Sequence, residues 1–308
     1  MTALRGMLLV GLLAMAVLML QLVPGGPTRA TPEPAIASAG LPGGHFAIRD
    51  VRLFDGEAWH AQANVVVRDG LVVAAGPDVA LPKGVPVLDG TGHSLLPGLI
   101  DAHVHTWGNA RADALRFGVT TLLDMFTDHS QLAAARAERE SLEPSNRADL
   151  WSAGTLATAA GGHGTQYGMA VPTLAVPADA APWVEARIGE GSDFIKIVRE
   201  DLAAYGPRRI PSLDDATAAA VIAEAQARGL RAVVHVSLQE TARASFRDGA
   251  HGLVHVFQDA PADAGLVALA RDRGAFVVPT LSVVASMAGG SNPLSGDPRI
   301  AAWLSPEQ

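Results

Sequence analysis

Two histidines spaced one residue apart are the first sign of chemistry in this chain. They stand in the segment Leu96-Pro97-Gly98-Leu99-Ile100-Asp101-Ala102-His103-Val104-His105. On a β-strand, residues i and i+2 point to the same face. His103 and His105 would therefore project together while Val104 points away. Two imidazoles side by side at the end of a strand offer a pair of nitrogen ligands to zinc or a similar ion. A bare His-x-His is common, but this one closes an apolar strand led by Pro-Gly.

Three further polar residues each sit inside an apolar run. Lys196 lies in Phe194-Ile195-Lys196-Ile197-Val198, His235 in Ala232-Val233-Val234-His235-Val236, and His255 in Leu253-Val254-His255-Val256-Phe257. Burying any one of them without a partner is costly. Taken singly, a strand histidine is more often a satisfied core residue than a ligand, and Lys196 could be half of a buried ion pair. Their recurrence at successive strand ends points to a shared partner, and a bound cation would serve.

The composition narrows that chemistry. The chain has no cysteine, which excludes thiolate metal sites, disulfides and a Cys nucleophile. Any metal must then be held by histidine, carboxylate or a less usual group. Of 23 basic side chains only Lys83 and Lys196 are lysines, so a Lys within an apolar segment calls for a reason. A net charge of -8 without a basic run argues against nucleic acid as a partner. Hydrophobic residues make up 49% of the sequence, enough for a substantial core.

The elements that must position these groups are legible from their rhythm. Phe46–Phe54, Ala63–Arg68 and Leu71–Ala75 alternate like strands, with Asp69-Gly70 as a hairpin turn. They belong to a small β domain over residues 45–97, read as part of a β-sandwich. After Pro97, apolar runs alternate with Ala-rich amphipathic stretches, as βα units around a parallel sheet do. Strands are expected at Leu99–His105, Val119–Met125, Leu150–Gly154, Asp193–Val198, Arg231–Val236, Gly252–Phe257 and Ala275–Thr280. Helices are expected at Gln131–Leu142, Leu213–Arg228, Gln239–Asp248 and Ala262–Arg273, with Gly229 and Gly274 at C-cap positions. The fold class expected is α/β, a TIM-like (β/α)₈ barrel over residues 98–308. Seven of its eight strands can be seen, so the barrel reads as truncated. An open doubly wound sheet also accommodates seven strands, but chemistry at the ends of several separate strands favours the barrel.

The run from Leu96 to His105, the isolated Lys196, and His235 and His255 on later strands resemble the amidohydrolase superfamily. The nearest likeness is to its imidazolonepropionase-like and Xaa-Pro dipeptidase-like branch, from about Phe46 to Thr280. The resemblance implies that His103 and His105 hold one metal ion and His235 and His255 another, with Lys196, carboxylated by CO₂, bridging them. The implied cofactor is Zn²⁺, two ions, with other divalent metals able to substitute. An arginine could not take the bridging role, because its guanidinium stays protonated. A single metal on the histidines with Lys196 unmodified remains an alternative. The implied activity is hydrolysis of a C–N bond in an amide, cyclic amide or dipeptide by a metal-bound hydroxide. Two other outcomes stay open: a mononuclear deaminase of the same superfamily, and a non-catalytic metal- or ligand-binding remnant.

Such enzymes also use an Asp at the end of strand eight, for which no counterpart is assigned; Asp297, between Ser295-Gly296 and Pro298, sits in a turn context. The catalytic acid is thus unknown. By the same resemblance His163 and Tyr167, beside Gly161-Gly162 and Gly164, would contact substrate, against the plainer reading of a Gly-rich loop. Asp101 is expected on the face of His103 and could orient it through a hydrogen bond. Asp124, Asp259 and Thr280 are weaker candidates at strand ends, while His45, His60, His93, His129 and His251 read as surface or loop residues. At the N-terminus, Arg5 precedes an uncharged run from Gly6 to Val23, a signal peptide or membrane anchor over residues 1–23, followed by a Pro- and Gly-rich linker over 24–44. A periplasmic or secreted location follows, with membrane contact only through that segment.

Overall fold

A computed structural model describes residues 44–141, 143–291, 297–301 and 303. The leader-like segment and all but the last residue of the linker lie outside the described residues. Among those described, no helix is long and apolar enough to cross a membrane. The described residues divide into two compact units, one running up to Leu99 and one made of Ile100–Arg139 with the residues from Asn146 on.

The first unit is a five-stranded sheet of β1 (Phe46–Phe54), β2 (Trp59–Arg68), β3 (Leu71–Gly76), β4 (Val87–Asp89) and β5 (Ser94–Leu95). Its order is β3-β2-β1-β4, with β5 also on β1. β1 and β2 pair antiparallel, as do β2 and β3. Asp69 and Gly70 both take positive φ, 53° and 77°, as a tight two-residue hairpin turn demands. Val51, Leu53, Ala63, Val65 and Val67 form the buried cluster, and Val66 of β2 is buried as well.

The second unit carries seven strands among its described residues. They are β6 (Leu99–Val104), β7 (Val119–Asp124), β8 (Asp149–Ser152), β9 (Ile195–Arg199), β10 (Ala232–Val236), β11 (Gly252–Leu253) and β12 (Phe276–Val277). Neighbours follow chain order, β6-β7-β8 and β9-β10-β11-β12. The pairs β7/β8, β9/β10, β10/β11 and β11/β12 are parallel. The two runs meet where Ala157 bridges Ile197, its N–H donating to the Lys196 carbonyl at 2.8 Å while its carbonyl accepts from Val198 at 2.9 Å. This is the strand order of a TIM-like barrel, with helices filling the crossovers.

Those helices are α1 (Ala110–Arg116), α2 (Leu132–Glu140), α3 (Ala180–Glu190), α4 (Asp215–Ala227), α5 (Gln239–Arg247), α6 (Ala264–Asp272) and α7 (Leu281–Met287). Asp214 caps α4 by accepting from Thr217 N–H at 2.7 Å, and Asp263 caps α6 from Leu266 N–H at 2.9 Å. Gly229 and Gly274 follow α4 and α6 with φ of 74° and 59°, a conformation that favours glycine. Helix α3 was not expected from the sequence, because Pro182 and Gly189 break its pattern. Both fall near its ends, where the missing amide and the added flexibility cost little. Helices α1 and α7 are seven residues each, too short to show a clear period.

The strands sort their side chains by parity. Ile195, Ile197, Ala232, Val234 and Val236 pack outward against Val184 of α3, Val221 and Ile222 of α4, and Phe246 of α5. Val233 packs with Met125 and Val254 in a separate inner cluster, and Val198 packs with Phe126 and Leu156. Lys196 and His235 share the parity of that inner set. The expected strand Gly252–Phe257 is corrected: ladder pairing stops at Leu253. A regular strand would send Val254 and His255 to opposite faces, whereas release from the ladder lets Val254 join the inner cluster and His255 reach the other histidines. Expected strand Ala275–Thr280 shortens likewise to Phe276–Val277, and Thr280 adopts φ 48°.

Phe246 is among the largest wholly buried side chains of the outer core. Replacing it, Phe246→Ala, should cost about 3–5 kcal/mol of unfolding free energy in a denaturant titration. A loss below 1 kcal/mol would mean that α5 does not seal the sheet.

Candidate metal centre

The inner strand ends bring the predicted ligands together. The rings of His103 and His105 lie 5.8 Å apart, as expected for i and i+2 on one strand face. His255 stands 4.5 Å from His103 and 4.2 Å from His235. His163 lies 4.9 Å from His235 and 6.1 Å from Tyr167. Lys196 is buried at the base of the same cavity, whose apolar walls include Met125, Phe126, Leu156 and Val198. The cavity has room for a water molecule or an ion. Four strands and one loop thus deliver five imidazoles and one amine to a single point.

Burial keeps this group close to neutral. Desolvation pushes His103, His105, His235 and His255 below the usual histidine range, with the Lys196 charge acting in the same direction. His163 falls to about 4 for the same two reasons. Lys196 falls from 10.5 to about 7, because its ammonium loses water and gains only the distant help of Asp124. Burial raises Tyr167, so its hydroxyl keeps its proton.

The residues present fit a metal. Neutral imidazole is the form that coordinates, and the Nδ1 atom of His103 is buried without a hydrogen-bond partner. Among the described residues no three His, Cys, Asp or Glu side chains are already spaced as an ion cage. The rings are gathered at 4–6 Å between centroids.

Supporting contacts hold the rim. Asp124, at the end of β7, is fully buried and accepts from the N–H and hydroxyl of Thr106, the N–H of Phe126 at 2.8 Å and the Ser152 hydroxyl at 3.3 Å. It therefore ties down the turn that follows His105. The His105 ring meets the Phe126 carbonyl through Nδ1 at 3.2 Å and stacks on Trp107 at 5.7 Å. Tyr167 packs between Trp107 and Phe126, both 5.9 Å away. The Thr280 hydroxyl lies 2.7 Å from His255 Nδ1.

One expectation needs correction. Asp101 touches His103 through the main chain: its exposed carboxylate accepts from the His103 N–H at 3.0 Å, so it steadies the strand end and not the ring. Asp259 accepts from Gln239 N–H at 2.9 Å at the start of α5. His60 pairs with Asp55, and His251 Nδ1 accepts from Ala232 N–H; both belong to other surroundings. The sequence reading passed over Glu200 and Trp107. Glu200 is 2% exposed with a side-chain oxygen 3.4 Å from His235 Nε2. Its signal was an acid directly after the strand Ile195–Arg199, easily mistaken for a solvated loop residue.

The Lys196 shift has a measurable sign. Above pH 10.5 the amine is neutral in both folded and unfolded chains. As pH falls toward 7 the unfolded chain takes up a proton that the folded chain refuses, so stability is lost across that window and stays lost below it. In metal-free, CO₂-free buffer, Lys196→Met should therefore stabilise the protein at pH 7 by on the order of 3–5 kcal/mol, with the gain fading toward pH 10.5. A difference independent of pH would contradict a desolvated amine.

No protein-family model matches the chain. It is 46% identical to a dihydroorotase of Mycobacterium tuberculosis over 59 residues, which is 19% of this chain and 13% of that protein. Among solved structures, a Xaa-Pro dipeptidase with bound methionine superposes with a TM-score of 0.64 at 20% identity, covering 79% of this chain and 69% of the other. A prolidase complexed with N-methylphosphonate-L-proline gives 0.65 at 20% identity, covering 85% and 73%. In fold, and in the stretch shared with dihydroorotase, the chain is similar to the amidohydrolase superfamily.

Proposed function

We propose that the protein is a metal-dependent hydrolase that cleaves the C–N bond of a small amide, cyclic amide or dipeptide. The observation that carries this is the convergence of His103, His105, His163, His235 and His255 with the buried Lys196 on one cavity. The dipeptidase and prolidase named among similar structures, and the dihydroorotase, support the choice of bond.

In this reading His103 and His105 hold one ion and His235 and His255 the other, zinc or another divalent metal. With a pKa near 7, a large fraction of Lys196 is the free amine at neutral pH. That amine could add CO₂, forming one N–C bond and releasing one proton, to give an anionic carbamate whose oxygens would be metal ligands. Divalent ions held by these residues would supply a water of lowered pKa and would polarise the substrate carbonyl. Overall, water adds to the carbonyl carbon, the C–N bond breaks, and the products are an acid and an amine. The chain's own residues orient the substrate. Tyr167 keeps its hydroxyl proton and His163 is neutral above about pH 4, so each can offer a hydrogen bond to a substrate oxygen. No described residue is assigned the proton transfer to the leaving nitrogen. The apolar run at residues 6–23 supports a periplasmic or secreted setting, with this segment as leader or anchor.

A single-ion site is the second reading. It is favoured by the tighter spacing of His103, His235 and His255, at 4.5 and 4.2 Å, against 5.8 Å for His103 and His105.

Metal analysis with a hydrolysis panel separates these outcomes. Purified protein should carry two equivalents of divalent metal and hydrolyse some members of a set of Xaa-Pro dipeptides and N-acyl amino acids. Chelation should abolish turnover, and metal with bicarbonate should restore it. Lys196→Ala should lose at least one equivalent and turnover of 10³-fold or so, the scale of removing a transition-state-stabilising group. One equivalent retained with full activity in that variant would favour the single-ion reading. Protein that takes up no metal would overturn both.

A further inference from the structure

The cavity leaves one buried acid unexplained. Glu200 follows β9 directly and is 2% exposed, so its carboxylate has almost no water. One oxygen accepts from the Leu202 N–H at 2.5 Å. The other, Oε2, is buried and has no hydrogen bond. Among the described residues the one basic nitrogen within ion-pair reach of it is His235 Nε2, at 3.4 Å. Neighbouring Arg199 is engaged elsewhere, with Asp215 and Ser245. A buried carboxylate oxygen with no donor is expensive, and such an orphan in a folded protein calls for a partner.

We propose that Glu200 is a positioning residue that fixes the tautomer of His235. A histidine binds a metal as the neutral ring, with one N–H and one lone pair, and the choice between them decides which nitrogen can bind. A lone pair on Nε2 would face the carboxylate oxygen and be repelled. A proton on Nε2 would face it and be attracted, and a small ring rotation closes 3.4 Å to a hydrogen bond. Glu200 therefore selects the Nε2–H form and leaves Nδ1 as the nitrogen whose lone pair can bind a metal. A carboxylate behind a ligand histidine sets its tautomer and orientation and raises its basicity. The local sequence makes the contact possible, because register pairs Val198 with His235 and Arg199 with Val236, placing Glu200 just past the end of the ladder beside His235. The inference rests on the proposal that His235 is a metal ligand, and it extends that proposal to the atom.

Long-range ¹H–¹⁵N correlation spectra of the metal-free protein read the tautomer directly, with His235→Gln assigning the signal. The wild type should show His235 protonated on Nε2. Glu200→Ala should give mixed tautomers, and Glu200→Gln, whose amide oxygen can still accept, should stay nearer the wild type. In a chelator competition the same variants should bind Zn²⁺ about 10–100-fold more weakly, Glu200→Ala more than Glu200→Gln. A wild-type ring protonated on Nδ1 would overturn the inference whatever the variants do. So would folded variants that keep both the tautomer and the Zn²⁺ affinity. Wild-type protein with the expected tautomer but no Zn²⁺ binding would instead overturn the metal-site proposal, and with it any catalytic purpose for Glu200.

Discussion

Desolvation is the constraint on which the rest of the site depends. Five imidazoles and an amine are gathered among Met125, Phe126, Leu156 and Val198, where none of them can hold a charge cheaply. That surrounding keeps the histidines in the form that donates a lone pair and brings Lys196 close to losing its proton at neutral pH. In water the same lysine would be a cation, useless as a nucleophile toward CO₂ and repellent to a metal. In the proposed reaction the apolar wall is part of the chemistry, and the strands that build it are positioning elements as much as core.

The barrel topology turns this into geometry. Parallel strands deliver their C-terminal ends to one rim, so residues far apart in sequence converge without long side chains. Outward residues such as Ile195, Ile197 and Val234 anchor the sheet to α3, α4 and α5. The opposite parity then leaves Lys196 and His235 facing inward. Asp124 does comparable work at the first half of the ring, accepting from Thr106, Phe126 and Ser152 and so fixing the backbone on either side of the His105 ring. Glu200 and Thr280 stand behind His235 and His255 in the same way. His105, His235 and His255 thus each have a polar group behind the ring that limits how it can turn.

Much of this was legible in the chain because periodicity and isolation are strong signals. A period of two placed His103 and His105 on one face, and single polar residues in apolar runs marked Lys196, His235 and His255. What was hidden depended on departures from regularity. The ladder ends at Leu253, so His255 reaches the ring by leaving the strand, which no alternation pattern reports. Helix α3 was obscured by Pro182 and Gly189, which are tolerated only because of where they fall. Asp101 looked like a support for His103 by parity, yet its carboxylate takes the nearer main-chain N–H. Glu200 was invisible because burial of a residue just past a strand is set by tertiary packing, not by local pattern.

The central claim is that these six nitrogen-bearing side chains face a common occupant. Crystals grown with Zn²⁺ and bicarbonate, with anomalous data collected on both sides of the zinc edge, test it most directly. The account predicts anomalous peaks within about 2.0–2.2 Å of ring nitrogens of His103, His105, His235 and His255. It also predicts added density on Lys196 Nζ that links them. A well-ordered ring with no anomalous peak, or zinc bound only at surface histidines such as His60 or His251, would contradict it.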